Sequence, residues 1–248
     1  MSIPLLWVEE TPSTNALLKE RFAAAADNAA VAVAAHRQTA GRGRLGRVWE
    51  SAPDEALALS VLVPKALPGA VTLSVGVAVV RAIEAVCGVK TQLKWPNDIL
   101  CSNRKIGGIL CEGIVGERCA TVIGIGLNLA QSAAYFEEKG LAYGGSLWSV
   151  CEKTVSPNAM ASAVLAELEN VLETLEQQGF APLKNEFEAT CFTLHHPVSV
   201  LDADGKERFC GTAVGVDDTG DLLVEDVAGV CRAVNAGEVS VRGVYGYA

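Results

Sequence analysis

Gly41-Arg42-Gly43-Arg44-Leu45-Gly46-Arg47 places three glycines and three arginines in seven consecutive residues. Glycines let a backbone approach a ligand closely. Arginine forks match the geometry of carboxylate and phosphate. The spacing also satisfies Gly-x-Gly-x-x-Gly, the fingerprint of dinucleotide-binding folds. That fingerprint needs a strand running into a turn and then an apolar helix. Here Val48-Trp49-Glu50-Ser51-Ala52-Pro53 follows, and a proline at that point stops a helix. The doubly wound dinucleotide fold is therefore set aside. What is left is an anion clamp carried on a loop, or a basic surface loop.

The loop stands out because the rest of the chain is acidic. Over 248 residues, Asp+Glu number 29 against 20 Lys+Arg, a net charge of -9. A protein whose main task is coating nucleic acid would carry the opposite balance. Half the residues are hydrophobic and 20% charged, which supplies a core and argues against disorder. The start of the chain has no basic n-region and reaches Glu9 and Glu10 early, unlike a signal peptide. The apolar run Val71 to Val80 stops at Arg81, well short of the ~20 residues of a membrane helix. A soluble, cytoplasmic protein with no membrane partner is expected. The eight cysteines contain no Cys-x-x-Cys pair. They read as small buried hydrophobes with reduced thiols, and no metal site is expected from them.

Patterning predicts mixed α and β structure. A helix is expected from Thr14 to Ala26 and a low-volume strand from Ala30 to Ala35. A second strand, Ala56 to Val63, is closed by Pro64. Helices follow at about Val71–Val86 and Asn158–Gln178, the latter between Pro157 and Gly179, with short strands near 91–94, 105–113 and 119–126. The character changes at His195-His196-Pro197. Beyond it, Val198/Val200, Val214/Val216, Leu222/Val224 and Val239/Val241 alternate between turn signals at Asp204-Gly205 and Asp217-Asp218-Thr219-Gly220. Such spacing predicts a small antiparallel barrel. Two domains are expected, 1–194 and 195–248.

Four further segments carry chemistry. In Lys94-Trp95-Pro96-Asn97-Asp98 the proline breaks a strand. Lys94 is then either a strand-end lysine in water or a half-buried cation needing an anionic companion. Lys105-Ile106-Gly107-Gly108-Ile109-Leu110-Cys111-Glu112 and Val122-Ile123-Gly124-Ile125-Gly126-Leu127-Asn128-Leu129 are strand-like runs interrupted by glycine. Either a flat ligand lying across the sheet or a closely packed helix would require the missing side chains. Asn128 would present an amide to an adenine or hold the next turn. Ser13-Thr14-Asn15 would cap a helix or aim polar groups at a ligand. Trp49 is a core residue or a stacking platform for a base. The three histidines, His36, His195 and His196, do not support Ser/His or Cys/His catalysis.

Taken in order, Pro12-Ser13-Thr14-Asn15, the run Gln38 to Trp49, Lys94 to Asp98, Arg104 to Glu112 and Gly124 to Leu129 resemble the biotin protein ligase family. The resemblance extends over nearly the whole chain, to Gly215–Leu223. It implies an α+β fold: a class II synthetase-like biotin/lipoate ligase catalytic domain with a small C-terminal SH3-like β-barrel. It implies an ATP-dependent enzyme, assisted by Mg²⁺, that forms biotinyl-5′-AMP. The biotin then passes to a lysine of the biotin carboxyl carrier protein of acetyl-CoA carboxylase or a similar carboxylase. Residue by residue, it implies biotin contacts from Ser13, Thr14, Asn15, Gln38, Arg42, Gly43, Arg44, Lys94 and Gly108. ATP contacts are implied for Arg42, Arg44, Arg47, Trp49 and Asn128, and the catalytic roles for Lys94 and Arg44. The physics agrees, since a carboxylate must approach a polyanion. Each like-charge pair opposes that by roughly 4 kcal/mol at about 4 Å and an effective dielectric near 20. Ser13 lies too near the start of this sequence for a preceding helix-turn-helix, so no DNA partner is expected. A homodimer is compatible with the sequence. A lipoate-type ligase and a non-catalytic biotin or adenylate sensor are the alternatives.

Overall fold

The computed structural model describes residues 3–24, 29–50, 52–202, 205–236 and 240–243. In chain order the elements are β1 (Leu5–Thr11), α1 (Thr14–Ala24), β2 (Val31–Gln38), a 3-10 turn (Arg44–Gly46), β3 (Ala56–Val63) and α2 (Val71–Cys87). Then come β4 (Gln92–Lys94), β5 (Asp98–Cys101), β6 (Arg104–Ile114), β7 (Ala120–Asn128), α3 (Ala133–Glu138) and α4 (Leu147–Cys151). The chain continues through α5 (Pro157–Gln178), α6 (Ala181–Thr190), β8 (Pro197–Leu201), β9 (Glu207–Val216), β10 (Leu222–Glu225), β11 (Cys231–Val234) and β12 (Ser240–Gly243).

Among the described residues the first seven strands form one sheet in the order β1-β2-β3-β7-β6-β5-β4. Only β1 and β2 run parallel; the other neighbours are antiparallel. Strand alternation gives this sheet two unlike faces. On one side Leu57, Leu59, Val61 and Val63 of β3 and Ile123, Ile125 and Leu127 of β7 pack with α2 and α5. Each fully buried side chain of this size contributes about 1.5–3 kcal/mol relative to leaving it exposed. The helices are cut to fit. Ser156 caps α5 by accepting from Ala159 N–H at 3.2 Å, Pro157 opens it, and Leu165, Leu168, Leu172 and Leu175 turn inward. The other face carries α1, whose Leu18 and Phe22 pack with Val31, Val33, Leu62 and Val122. Beside α1 that face is lined by small residues, and the cleft forms there.

The C-terminal strands form a five-stranded antiparallel sheet in the order β11-β10-β9-β8-β12. The barrel expected there takes this form, and no pairing between β11 and β12 closes it among the described residues. Val198, Val200, Ala213, Val216, Leu222 and Val224 belong to the same apolar core as α2 and α5. The hydrophobic interior thus runs on beneath the boundary that turn spacing draws at residues 194 and 195.

Several elements depart from the patterning. Strands β1, β5 and β11 and helices α3, α4 and α6 carry no clear period at their lengths and were not expected. Ala25 and Ala26, the expected end of the first helix, lie outside the described residues, as do Asp204 and Val239. Among the cysteines, Cys101 and Cys191 are buried, Cys87, Cys111 and Cys151 half-buried, and Cys119, Cys210 and Cys231 exposed. Uniform burial was therefore too simple, because the last two sit on exposed stretches of the C-terminal sheet. Burial and the Cys151 thiol, 3.0 Å away, push the Cys101 thiol up to about 12, which keeps it protonated.

Candidate active site: a cationic cleft over a floor of small residues

Cross-strand register builds the floor. Lys94 pairs with Asp98, Asp98 with Gly108, Gly108 with Gly126, and Gly126 with Ala58. One row across five strands therefore ends in a lysine and is otherwise short-chained toward the cleft. The adjacent row is Ser60–Gly124–Leu110. Above these rows lies a cavity of about 240 Å³.

Protein side chains already cover both rows. A Cβ on Gly126 would lie 2.6 Å from Trp49 Cε2, and one on Gly108 would meet the same indole at 3.6 Å. A Cβ on Gly124 would lie 2.4 Å from Asn15 Oδ1. The missing side chains therefore make room for Trp49 and for a residue of α1. Of the two readings of these glycines, close helix packing applies at Gly124. At Gly126 the flat group over the glycine is the protein's own indole, whereas at Gly108 the indole is at ordinary contact distance. Gly107 points to the opposite face, where a Cβ would meet Leu127 Cδ2 at 2.5 Å.

A neutral hydrogen-bonded network occupies the second row. Thr14 donates from its backbone N–H and its hydroxyl to Gln38 Oε1 at 2.9 and 3.1 Å. The Ser60 hydroxyl lies 2.7 Å from Thr14 Oγ1 and 2.5 Å from Asn15 Oδ1. Asn15 Nδ2 donates to Glu112 Oε2 at 2.7 Å and to the Leu110 carbonyl at 3.3 Å. The far carboxylate oxygen of Glu112 accepts from Lys19 at 2.5 Å. Every amide orientation along this line is set by a partner.

The charged part of the lining is mostly cationic. Arg42, Arg44, Arg47, Lys94 and Lys105 face the cavity with one carboxylate, Asp98, which pairs with Lys105 at 2.6 Å. Lys94 is only 8% exposed. The loop is held by backbone bonds, Gly43 N–H to the Arg47 carbonyl at 2.7 Å and Trp49 N–H to the Gly41 carbonyl at 3.0 Å. Arg44 donates to Asn97 Oδ1 at 3.2 Å. Burial lowers the Arg44 pKa, Arg47 acts in the same direction and Asp98 opposes it. A guanidinium remains charged at neutral pH even so. Five cations against one carboxylate make this the place in an acidic chain where an anion is attracted.

The model of the Biotin/lipoate A/B protein ligase family matches residues 7–128, and that of the Biotin protein ligase C terminal domain matches residues 196–242. The biotin–[acetyl-CoA-carboxylase] ligase of Mycobacterium tuberculosis is 34% identical over 241 residues, covering 94% of this chain and 86% of that protein. The chain belongs to the biotin protein ligase family. It is also 32% identical over 210 residues to the bifunctional ligase/repressor BirA of Bacillus spizizenii, and there the match spans 64% of the relative's length. The fold is similar to that of the biotin protein ligase of Aquifex aeolicus in complex with biotin and ATP. That likeness has a TM-score of 0.83 at 27% identity and covers 97% of this chain and 99% of that one.

For this member of the biotin protein ligase family, the structure gathers most of the residues singled out in the sequence. Ser13, Thr14, Asn15, Gln38, Arg42, Gly43, Arg44, Arg47, Trp49, Lys94 and Gly108 all line the cavity. Asn128 does not line it. Its Nδ2 donates to the Gly145 carbonyl at 3.0 Å and its Oδ1 accepts from Gln131 at 3.1 Å. Of the two roles weighed for Asn128, these bonds are the kind that the second, holding the following turn, requires. Ser60, Asn97, Lys105 and Glu112 were not singled out. Ser60 was findable, being the one polar residue in an eight-residue apolar strand, where a buried hydroxyl requires partners. Glu112 carried no such mark, since strand ends often show a carboxylate to water.

Burial pushes the Glu112 carboxyl up, but hydrogen bonds from Lys19 and Asn15 outweigh it and hold the pKa below the usual carboxylate range. A lowered folded pKa means stability that is present above the unfolded pKa and lost as pH falls through the folded value. Glu112→Gln is therefore expected to flatten the loss of stability on acidification. Urea midpoints between about pH 7 and pH 3 should fall more steeply for the wild type than for the variant. Parallel curves would show that Glu112 contributes nothing to the acid limb.

Proposed function

We propose that this protein activates biotin with ATP, giving biotinyl-5′-AMP and pyrophosphate, and then transfers biotin to a lysine of a biotin carboxyl carrier protein. The carrier would be that of acetyl-CoA carboxylase or a similar carboxylase. The observation that carries this reading is the cleft's division into a neutral hydrogen-bonding row and a second row that ends in a buried lysine beside the arginine loop. A ligand with an uncharged polar ring and an anionic tail matches both halves. Ser13, Thr14, Asn15 and Gln38 are assigned to the ring, with Ser60 locking their orientations. Gly108 leaves room in the floor. Lys94 meets the carboxylate and the α-phosphate, while Arg42, Gly43, Arg44 and Arg47 receive the phosphates. Trp49 supplies an apolar wall beside the nucleotide and excludes water from the adenylate. Residues 1–194 carry this chemistry and 195–248 form the second unit.

The described residues do not supply a resident metal site: no group of three or more His, Cys, Asp or Glu side chains converges. Mg²⁺ enters this reading on the nucleotide's phosphates, as that ion commonly does, and no step is assigned to it. No helix among the described residues is long and apolar enough to cross a membrane. A cytoplasmic location is part of the proposal, because ATP and the carrier meet there. Nothing in the chemistry requires DNA, a membrane or a second copy of the chain.

Biotin-dependent exchange of labelled pyrophosphate into ATP is the test. Exchange with biotin and none with lipoate is the expected result. Exchange with lipoate alone would make the protein a lipoate-type ligase. Biotin binding without exchange would make it a sensor.

A further inference from the structure

The C-terminal sheet reaches the cleft at two places, and each holds a cleft cation or its immediate neighbours. The first is Trp95, which follows Lys94 and is 2% exposed. Its indole N–H donates to the Gly220 carbonyl in the β9–β10 turn at 3.0 Å. Its backbone N–H donates to Thr193 Oγ1 at 2.9 Å, and the Leu93 carbonyl accepts from Phe192 N–H at 2.7 Å. Both neighbours of Lys94 are therefore pinned by the segment entering the C-terminal sheet, and one of them also by a turn within it. The second place is Arg44, whose guanidinium donates to the Ala236 carbonyl just beyond β11.

These two attachments are connected. The β9–β10 turn is built on Asp217, whose carboxylate accepts from Thr219 N–H at 2.8 Å and Asp221 N–H at 3.0 Å. Asp221 in turn accepts from Asn235 Nδ2 at 2.9 Å. Asn235 is the residue before Ala236. A continuous run, Trp95–Gly220–Asp221–Asn235–Ala236–Arg44, thus leads from one wall of the cleft to the other through the C-terminal sheet.

We propose that this run is a clamp in which Trp95, Asp221 and Asn235 are positioning residues that fix Lys94 and Arg44 relative to each other for adenylation, an inference that rests on the function proposed above. Lysine and arginine side chains are long and rotamer-rich, so their charges sharpen a reaction only when something holds the backbone beneath them. A misplacement of about 1 Å can lower a rate by as much as about a hundredfold. The C-terminal sheet then acts on the first chemical step, without touching the reacting atoms.

The test uses the full chain with Asn235→Ala, Trp95→Phe and the exchange pair Asp221→Asn with Asn235→Asp. The pair keeps an amide-to-carboxylate hydrogen bond with its direction reversed. Wild-type protein must first show biotin-dependent pyrophosphate exchange; its absence there would overturn the proposed function. Given exchange, Asn235→Ala and Trp95→Phe are expected to lower kcat by about tenfold. Biotin affinity by calorimetry should stay within about twofold and the thermal midpoint within a few degrees. The exchange pair should recover most of the loss caused by Asn235→Ala. Full activity in both single variants overturns the clamp. So does a loss of kcat that follows the thermal midpoint and is not recovered by the pair, because a merely structural role behaves in that way.

Discussion

Replacing Lys94 by alanine is expected to lower biotin-dependent pyrophosphate exchange by about 10²–10³-fold, equivalent to about 3–4 kcal/mol of transition-state stabilisation. The ammonium sits at the end of the Lys94–Asp98–Gly108–Gly126–Ala58 row and is nearly excluded from water. In the proposed reaction it would meet there the attacking carboxylate and the α-phosphate, where charge is weakly screened. Lys94→Arg should not restore the rate. A planar fork has a different shape from a compact ammonium and cannot present the same point charge. Biotin affinity should fall less than turnover, because the neutral row holds the ring. Exchange rates and calorimetric biotin affinities for both variants, with folding followed by circular dichroism, check this. Near-normal exchange by a folded Lys94→Ala protein would take Lys94 out of the chemistry.

Gly126→Val is expected to leave the fold intact and lower exchange by about 10–10²-fold. A Cβ there would lie 2.6 Å from Trp49 Cε2 and 2.7 Å from its Nε1. The ring stands on the loop after β2, so the loop yields before the sheet does. Trp49 should leave its place over the floor, carry the arginine loop with it and shift the tryptophan emission to the red. Gly107→Val, one register position from Gly126 on the neighbouring strand but on the opposite face, should do the reverse. Its Cβ would meet Leu127 Cδ2 at 2.5 Å and the Gly126 carbonyl oxygen at 2.9 Å, and a central-strand backbone cannot give way. A destabilisation of about 1–3 kcal/mol is expected, which lowers the melting midpoint by about 2–4 °C per kcal/mol for a chain of this size. Should Gly126→Val melt early while keeping its specific activity, the Trp49 account fails.

The residues that line the cleft were more legible than the frame that places them. Arginines beside glycines in an acidic chain, a lysine before Trp95-Pro96, and Ser13-Thr14-Asn15 at a helix start are local patterns whose chemistry follows from residue type. The longer elements, β3, α2 and α5, were legible because eight to twenty-two residues suffice to show a period. Strand β5, at four residues, is too short to show one, and the expected strand near 91–94 was marked by the Trp95-Pro96 break that follows it.

By itself, the sequence determined that an acidic, apolar-rich chain concentrates arginine in one glycine loop, and that its resemblance runs through five ordered motifs. Only the tertiary structure decided what the glycines are for. Register, which depends on partners far away in the chain, puts Gly108, Gly126 and Ala58 in one row and lays Trp49 and Asn15 over that floor. It also leaves Asn128 outside the cavity lining, with its amide bonded to Gly145 and Gln131. The same holds for the tie from Trp95 to Gly220, 125 residues apart. A hydrogen bond across that separation leaves no local period or composition for a sequence reading to find; it exists only once the two sheets share a core.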